Sequence, residues 1–421
     1  MFSQFPTTIP TDIPKYDVNF LELILKNATL LGLPIAVWRL PVQKEGGNRH
    51  IVVDFSGKAS LIPAELEHLP AGFVVSPFVQ EQEKIHFIRA DFHYQSQENT
   101  YTIRKNTYPI ANKFLQAIAS KNQNLSTKSI QKTTNVQQTS KENKNQHTSE
   151  EKKIEIEKKV AFETMVAQAI QAMQEGKFQK VVLSRTKHIA LTQSFSLAKT
   201  FEQLCVLYPH AFISLVSANE FGTWLGASPE IMISFDKEQI FRTVALAGTQ
   251  AKGDNTNLQE AMWRQKEIEE QALVSRYIIN CFKKVRVREF EEDGPKTVVA
   301  GNLLHLRTDF EVDTKAINFP ELPTVMLNLL HPTSAVCGMP KPEALDFIVS
   351  NEIHSRKLYA GYLGQVNIAQ ETHLFVNLRC MEIVGQEAIL YAGGGITKDS
   401  VPEREWIETE LKCKTVAQAL N

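Results

Sequence analysis

No run of about 18 consecutive apolar residues occurs anywhere in this sequence, so no transmembrane helix is expected. The opening MFSQFPTTIPTDIPKYDVNF lacks the basic start and apolar core of a signal peptide. An excess of one charge is also missing: 46 Lys and Arg stand against 47 Asp and Glu, a formal net charge of -1. Such a balance exerts no bulk attraction on nucleic acid or on an anionic membrane, and neither is expected as a partner. Cysteine is sparse and unpatterned. Cys205, Cys281, Cys337, Cys380 and Cys413 are odd in number and contain no CxxC pair, which argues against a disulfide framework and a cysteine zinc site. A reducing, cytoplasmic setting fits these absences best.

What is present is an ordinary globular composition. At 43% hydrophobic, the 421 residues can bury a large core as one big domain or two closely joined ones. Up to about Ala119, short apolar runs at 34–40, 50–55 and 72–77 alternate with turn residues, as in mixed strand and loop. Residues 120–153 then turn to Asn, Gln, Ser, Thr, Lys and Glu without a single aromatic, a composition expected of a mobile surface insertion or linker. From 159 to 175 apolar residues recur at intervals of three and four and the run closes at Gly176, which predicts a helix. A β-branched strand pattern begins at Lys180, and strands and helices mix from there to the end, without an internal repeat. The expected organisation is 1–119, an insertion at 120–153, and a main region at 159–421.

Four segments of the main region join apolar strand-like residues to charged or glycine positions. In FQKVVLSR, Lys180 opens an apolar strand, where a lysine is ordinarily a solvated strand end. In WLGASPEIMISF, Glu230 follows a turn and leads into a strand, and its plainest reading is a turn carboxylate. In MWRQKEIEEQALVSRYI, Glu267, Glu269 and Glu270 lie on a predicted helix whose charged face is ordinarily just the wet one. In LYAGGGITKDSVPEREWIETELKCKTVAQAL, Glu405, Glu408 and Lys412 share a helix face, and Gly393 to Gly395 read either as a tight turn or as an anion-binding nest of backbone N–H groups. Taken singly, the bland readings prevail.

Taken together and in this order, the segments resemble the chorismate-binding family, which includes isochorismate, salicylate, anthranilate and aminodeoxychorismate synthases. The resemblance runs from about Val160 to the end and extends to RTVALAGTQ, to LLHL around His305, and to HPTSAVCGMPKPEA, KLYAGYLGQV and FVNLRCMEI. It implies an α+β, two-lobed fold with large antiparallel sheets packed face to face, helices outside and the site in a central cleft. It implies chorismate as substrate and Mg²⁺ as cofactor, with Glu270 and Glu408 as ligands and Glu405 holding a metal-bound water. Arg379 then matches the residue that receives the enolpyruvyl carboxylate, and Lys412 with the amides of Gly394 and Gly395 completes the anion cradle. Ala247, Gly248, Thr249, His305, Thr333 and Ala335 match further substrate-contacting positions.

Within the family, Lys180 matches the general base that activates water for attack at ring carbon 2, and Glu230 the acid that protonates the hydroxyl leaving carbon 4. Lys180 is then expected to be neutral in a useful fraction, through desolvation or cationic neighbours, and Glu230 to hold a proton. Ammonia-using members do not normally carry this lysine and work with a glutamine amidotransferase, so none is expected here, and a monomer is implied. An isochorismate synthase, serving menaquinone or siderophore production, is the reading favoured by Lys180 and Ala335. Salicylate synthase shares the lysine and adds pyruvate elimination. A non-catalytic relative is the remaining alternative, disfavoured because Lys180, Glu230, Glu270 and Glu408 are all present. One departure stands out: the family commonly has Glu-His where this chain has Glu270-Gln271, which places a neutral amide near the expected metal.

Overall fold

The computed structural model describes residues 13–420 except 43–46, 81–83, 105–108, 120–142, 252–260 and 301–302, with the backbone alone for 143–154, 249, 251, 266, 300 and 303. Two antiparallel sheets dominate it. The first, in spatial order, joins β15 (Gly338–Met339), β8 (Lys180–Ala190), β19 (Glu387–Ile396), β18 (Cys380–Val384), β10 (Gly222–Ser228), β9 (Phe212–Ala218), β1 (Ile35–Arg39), β2 (Arg49–Val53), β6 (Phe92–Gln95) and β7 (Thr100–Ile103). The second joins β13 (Glu291–Ala300), β14 (Leu303–Asp313), β12 (Ile240–Ala251), β11 (Ile231–Phe235), β17 (Glu371–Val376), β16 (Tyr362–Ile368), β4 (Gly72–Ser76), β5 (Lys84–Arg89) and β3 (Ser60–Pro63). The strands before Ala119 are shared between both sheets, so that part of the chain belongs to the common fold.

Several strands of the first sheet are apolar on both faces, and the packing shows why. In β1, Ala36 and Trp38 point into the core between the sheets, while Ile35 and Val37 point to the opposite core. β9 repeats this with Phe212 and Val216 on one side and Ile213 and Leu215 on the other. The outer face is covered by α1 (Val18–Leu30), α2 (Pro109–Ala119), α4 (Leu197–Leu207) and the end of α8 (Pro402–Ala417). On the second sheet, α5 (Gln265–Lys284) and α6 (Leu322–Leu330) pack against β11, β12 and β14. Phe212 and Phe375 stack across the two sheets at 4.1 Å, and Trp38 Nε1 donates to Gln365 Oε1 across the same core at 2.9 Å. The fold is α+β with face-to-face sheets and helices outside, as the resemblance implied.

The predicted helix at 159–175 begins earlier than expected: α3 is Asn143–Gln174. The last part of the polar stretch is therefore helical, while 120–142 lies outside the described residues. Lys, Glu and Gln are good helix formers, and a polar turn can extend a helix whose apolar half is already anchored by Phe162, Val166 and Ala169. Among the described residues no helix is long and apolar enough to cross a membrane. The glycines of KLYAGYLGQV have a packing reason, since a Cβ on Gly361 would stand 2.1 Å from the Ser76 carbonyl oxygen.

If the inter-sheet core carries the stability, Phe375→Ala should lower the unfolding free energy by about 3–5 kcal/mol, read as a reduced denaturant midpoint. A loss below about 1 kcal/mol would mean that the two sheets do not depend on this stack.

Candidate active site

The chain passes between the sheets twice at one place, and each passage carries a charged residue. From β10 it crosses to β11 through Glu230; from β17 it returns to β18 through Arg379. Because β10 pairs with β18 and β11 with β17, the passages run side by side. They are tied by Ala227 N–H to the Arg379 carbonyl at 3.0 Å and by Val376 N–H to the Glu230 carbonyl at 3.0 Å. Arg379 takes a left-handed φ of 48°, uncommon for a residue with a side chain. Its guanidinium has no hydrogen-bond partner among the described residues, so its donors remain available.

Glu230 keeps some solvent contact at the mouth of a crevice but is otherwise surrounded by protein. Burial raises its pKa to about 7, and the positive charges of Lys180 and Arg379 limit the rise. Thr333 and Ala335 line that crevice with it. The Thr333 hydroxyl is buried without a partner among the described residues, as is that of the adjacent Ser334.

Beyond Tyr391 the edge of β19 is no longer paired with β18, because the chain turns away at Arg379. Gly393, Gly394 and Gly395 lie on this open stretch, inside a strand rather than in the turn or nest that the sequence suggested. On the other side they face Ser184, Leu183 and Val182 of β8. The N–H groups of Ser184 and Val182 point away, to Glu352 Oε1 and to the Cys337 carbonyl. By the alternation of an antiparallel ladder, Gly393 and Gly395 therefore turn their N–H and C=O toward the open edge, while Gly394 bonds to β8. Of the two expected amide donors, only Gly395 faces the site. Missing side chains matter as much: a Cβ on Gly394 would stand 3.3 Å from Glu405 Oε2 and 3.7 Å from Glu408 Oε1, and one on Gly395 3.1 Å from Lys180 Cε.

The charged groups gather on this edge. Lys180, the first residue of β8, donates to Glu270 Oε1 on α5 at 2.9 Å. Its charged partner here is an anion, so of the two expected influences, desolvation or cationic neighbours, this contact supplies neither. Glu408 and Lys412 on α8 pair at 2.6 Å, and Lys412 also donates to the Gly393 carbonyl at 2.7 Å. Burial pushes the Lys412 ammonium below the usual lysine range, opposed by Glu408 and reinforced by Arg379. His305 on β14 bonds through Nδ1 to the Gly248 carbonyl at 3.1 Å, and burial keeps the ring below the usual histidine range. Gly248, with φ of 64°, forms a bulge in β12 beneath Glu267 of α5; Ala247 precedes it, buried, and the Thr249 side chain lies outside the described residues.

Two further findings differ from the sequence reading. Gln271 is buried in the interface of α5 with the sheet, where its amide donates to the Ala245 carbonyl at 3.1 Å and to Thr308 Oγ1 at 2.9 Å. The amide nitrogen serves the scaffold and is not turned to the expected metal position, because a helix residue next to a site-facing one points about 100° away. Tyr359 was missed: its hydroxyl would be 2.8 Å from a Cβ on Gly393, and its phenol lies near the Arg379 guanidinium. It sits in KLYAGYLGQV, so the motif marked the place without marking the residue. Among the described residues, no three His, Cys, Asp or Glu side chains form a ready metal cluster.

A family model described as "Chorismate binding enzyme" matches residues 70–421. EntC of Escherichia coli K12, an isochorismate synthase, is 30% identical over 257 residues, 60% of this chain and 65% of that protein. The vibriobactin-specific isochorismate synthase of Vibrio cholerae is 27% identical over 262 residues, again 60% and 65%. This chain thus spans under two thirds of the length of these relatives. Among solved structures, the menaquinone-specific isochorismate synthase MenF of Escherichia coli superposes with a TM-score of 0.67 at 20% identity, covering 92% of this chain and 89% of that one. Anthranilate synthase component I from Streptococcus pneumoniae gives 0.62 at 17%, covering 91% and 90%. These likenesses establish the fold, and the match over 70–421 the membership: the chain belongs to the chorismate-binding enzymes.

Proposed function

We propose that this protein is an isochorismate synthase, adding water at ring carbon 2 of chorismate with loss of the hydroxyl from carbon 4. The observation that carries the reading is a carboxyl of pKa about 7 at Glu230 that feels the charge of Lys180, while the Lys180 side chain itself approaches Gly395 on the open stretch of β19. The names of the relatives support the same reaction.

In this reading Lys180 takes a proton from the attacking water and Glu230 gives one to the departing hydroxyl, so that one water enters and one leaves as the ring double bonds shift. Arg379 supplies a planar fork of donors for the enolpyruvyl carboxylate. Lys412 and the Gly395 N–H stand over the ring carboxylate. For Lys180 to accept a proton, the Glu270 carboxylate has to leave it. Lysine at this position favours water over ammonia as nucleophile, so the reading includes no glutamine amidotransferase partner and a chain that acts as a monomer.

The donors fit Mg²⁺ in kind, because Glu405 and Glu408 bring hard oxygens to Gly394 and Glu270 adds another nearby. Glu270 and Glu408 would hold the ion and Glu405 one of its waters, each of the first two exchanging its lysine for it. Bound there, the ion would neutralise charge on the substrate carboxylate.

Purified protein given chorismate and Mg²⁺ should yield isochorismate; salicylate with pyruvate would shift the reading to a salicylate synthase, and an unchanged substrate would end it. Lys180→Ala and Glu230→Gln should each reduce turnover by about 10²- to 10⁴-fold without loss of fold, checked by circular dichroism and melting temperature. Near-normal turnover in either variant would remove that residue from the chemistry.

The acid must carry its proton, and Glu230 titrates near 7, so kcat/KM should be limited on the alkaline side and decline as pH rises through about 7. A rate that is flat across that window would separate Glu230 from the acid role. Chelation of divalent ions should abolish activity and Mg²⁺ restore it, with Glu408→Ala requiring far more of the ion; activity indifferent to chelation would exclude the metal.

A further inference from the structure

On the outer edge of β8 an ion pair takes the place of a strand. β15 lies along only the first two residues of that edge, with Met339 opposite Lys180 and Gly338 opposite Val181. Next the Val182 N–H reaches the Cys337 carbonyl at 2.8 Å, and beyond it the backbone of β8 bonds to side chains. Arg356 Nη2 donates to the Val182 carbonyl at 2.6 Å. Glu352 Oε1 accepts from the Ser184 N–H at 2.7 Å and from the Ser184 hydroxyl at 2.9 Å. Both residues follow α7 (Lys341–Asn351), and each side chain is only 3% exposed.

The two hold each other by a fork, Arg356 Nε to Glu352 Oε2 at 2.8 Å and Nη2 to Oε1 at 2.6 Å. The other terminal nitrogen, Nη1, donates to the Val336 carbonyl at 2.9 Å. Val336 belongs to a turn, since the N–H groups of Val336 and Cys337 return to the Thr333 carbonyl at 3.1 and 2.9 Å. One guanidinium therefore fastens that turn to β8. The turn carries Thr333 and Ala335, which line the crevice of Glu230, and β8 begins with Lys180. A buried ion pair adds little net stability of its own, because desolvation offsets the attraction. What an apolar pair in its place would not supply is partners for two carbonyls and an N–H where β15 has ended.

We propose that Glu352 and Arg356 are a positioning pair for the reaction: by fixing β8 beyond the end of β15 and tying it to the turn at 333–337, they hold Lys180 where it acts. The proposal rests on the role of Lys180 as base in the isochorismate synthase reading. Displacing a catalytic group by about 1 Å can cost about 10²-fold in rate, so a rigid hold on the strand that carries it matters even at a distance.

The test is a double-mutant cycle on turnover with chorismate and Mg²⁺. Glu352→Gln keeps the shape of the side chain and an oxygen for Ser184 but removes the charge that holds Arg356. It should lower kcat by about tenfold or more and leave KM within about twofold. Arg356→Lys also loosens the Val336 carbonyl beside Ala335, and should lower kcat and raise KM together. In the Lys180→Ala background neither change should reduce the residual turnover further, because the group they position is already gone. Unchanged kcat in folded Glu352→Gln, additive losses in the cycle, or failure of both variants to fold, which would make the pair a device of stability alone, would each overturn the proposal. Near-normal turnover in Lys180→Ala by itself would instead withdraw the base assignment, and the proposal with it.

Discussion

Everything chemical in this protein depends on two strands changing sheets side by side. The backbone bonds from Ala227 to Arg379 and from Val376 to Glu230 hold the two passages together. A strand leaving a sheet uncovers the edge of its neighbour. Here β18 leaves at Arg379, and the uncovered edge is the glycine stretch of β19. The crossing thus produces three things at once: a glutamate held among protein atoms at Glu230, a guanidinium at Arg379 without a hydrogen-bond partner among the described residues, and an open backbone edge on β19.

That edge is useful because it is bare. A side chain at Gly394 would press on Glu405 and Glu408, and one at Gly395 on Lys180. The three glycines permit the close approach of charged groups from α8 and β8, and their φ values call for no left-handed conformation. Gly393 differs from its neighbours, since a Cβ there would strike the Leu183 carbonyl and the Tyr359 hydroxyl, both at 2.8 Å. One glycine of the run serves packing and two serve the cleft.

Opposite charges are matched around the cleft in a way that leaves Glu230 exceptional. Glu270 has Lys180 and Glu408 has Lys412, each within hydrogen-bonding distance. Among the described residues the Glu230 carboxyl has no such bond; the more distant charges of Lys180 and Arg379 favour its ionised form, and burial outweighs them. The same chain therefore holds carboxylates paired with lysines and, at Glu230, a carboxyl raised to about 7. Local environment separates them, since all are glutamates.

From the sequence alone the family, the α+β class it implies, the strand-like runs at 34–40, 50–55 and 72–77 and the helical spacing of Glu408 and Lys412 were legible, because periodicity and motif order are local properties. The identity of the charged residues was legible too. Which face each presents was not. Gln271 follows Glu270 directly yet turns into the scaffold, and Gly394 lies between two residues whose amides face the cleft yet bonds to β8. Those outcomes follow from helix pitch, ladder register and the point where β18 departs, and each of these is set by contacts between segments far apart in the chain. Composition and motif determined which groups the protein has to work with; only the tertiary structure decided which of them meet, because direction is a property of packing.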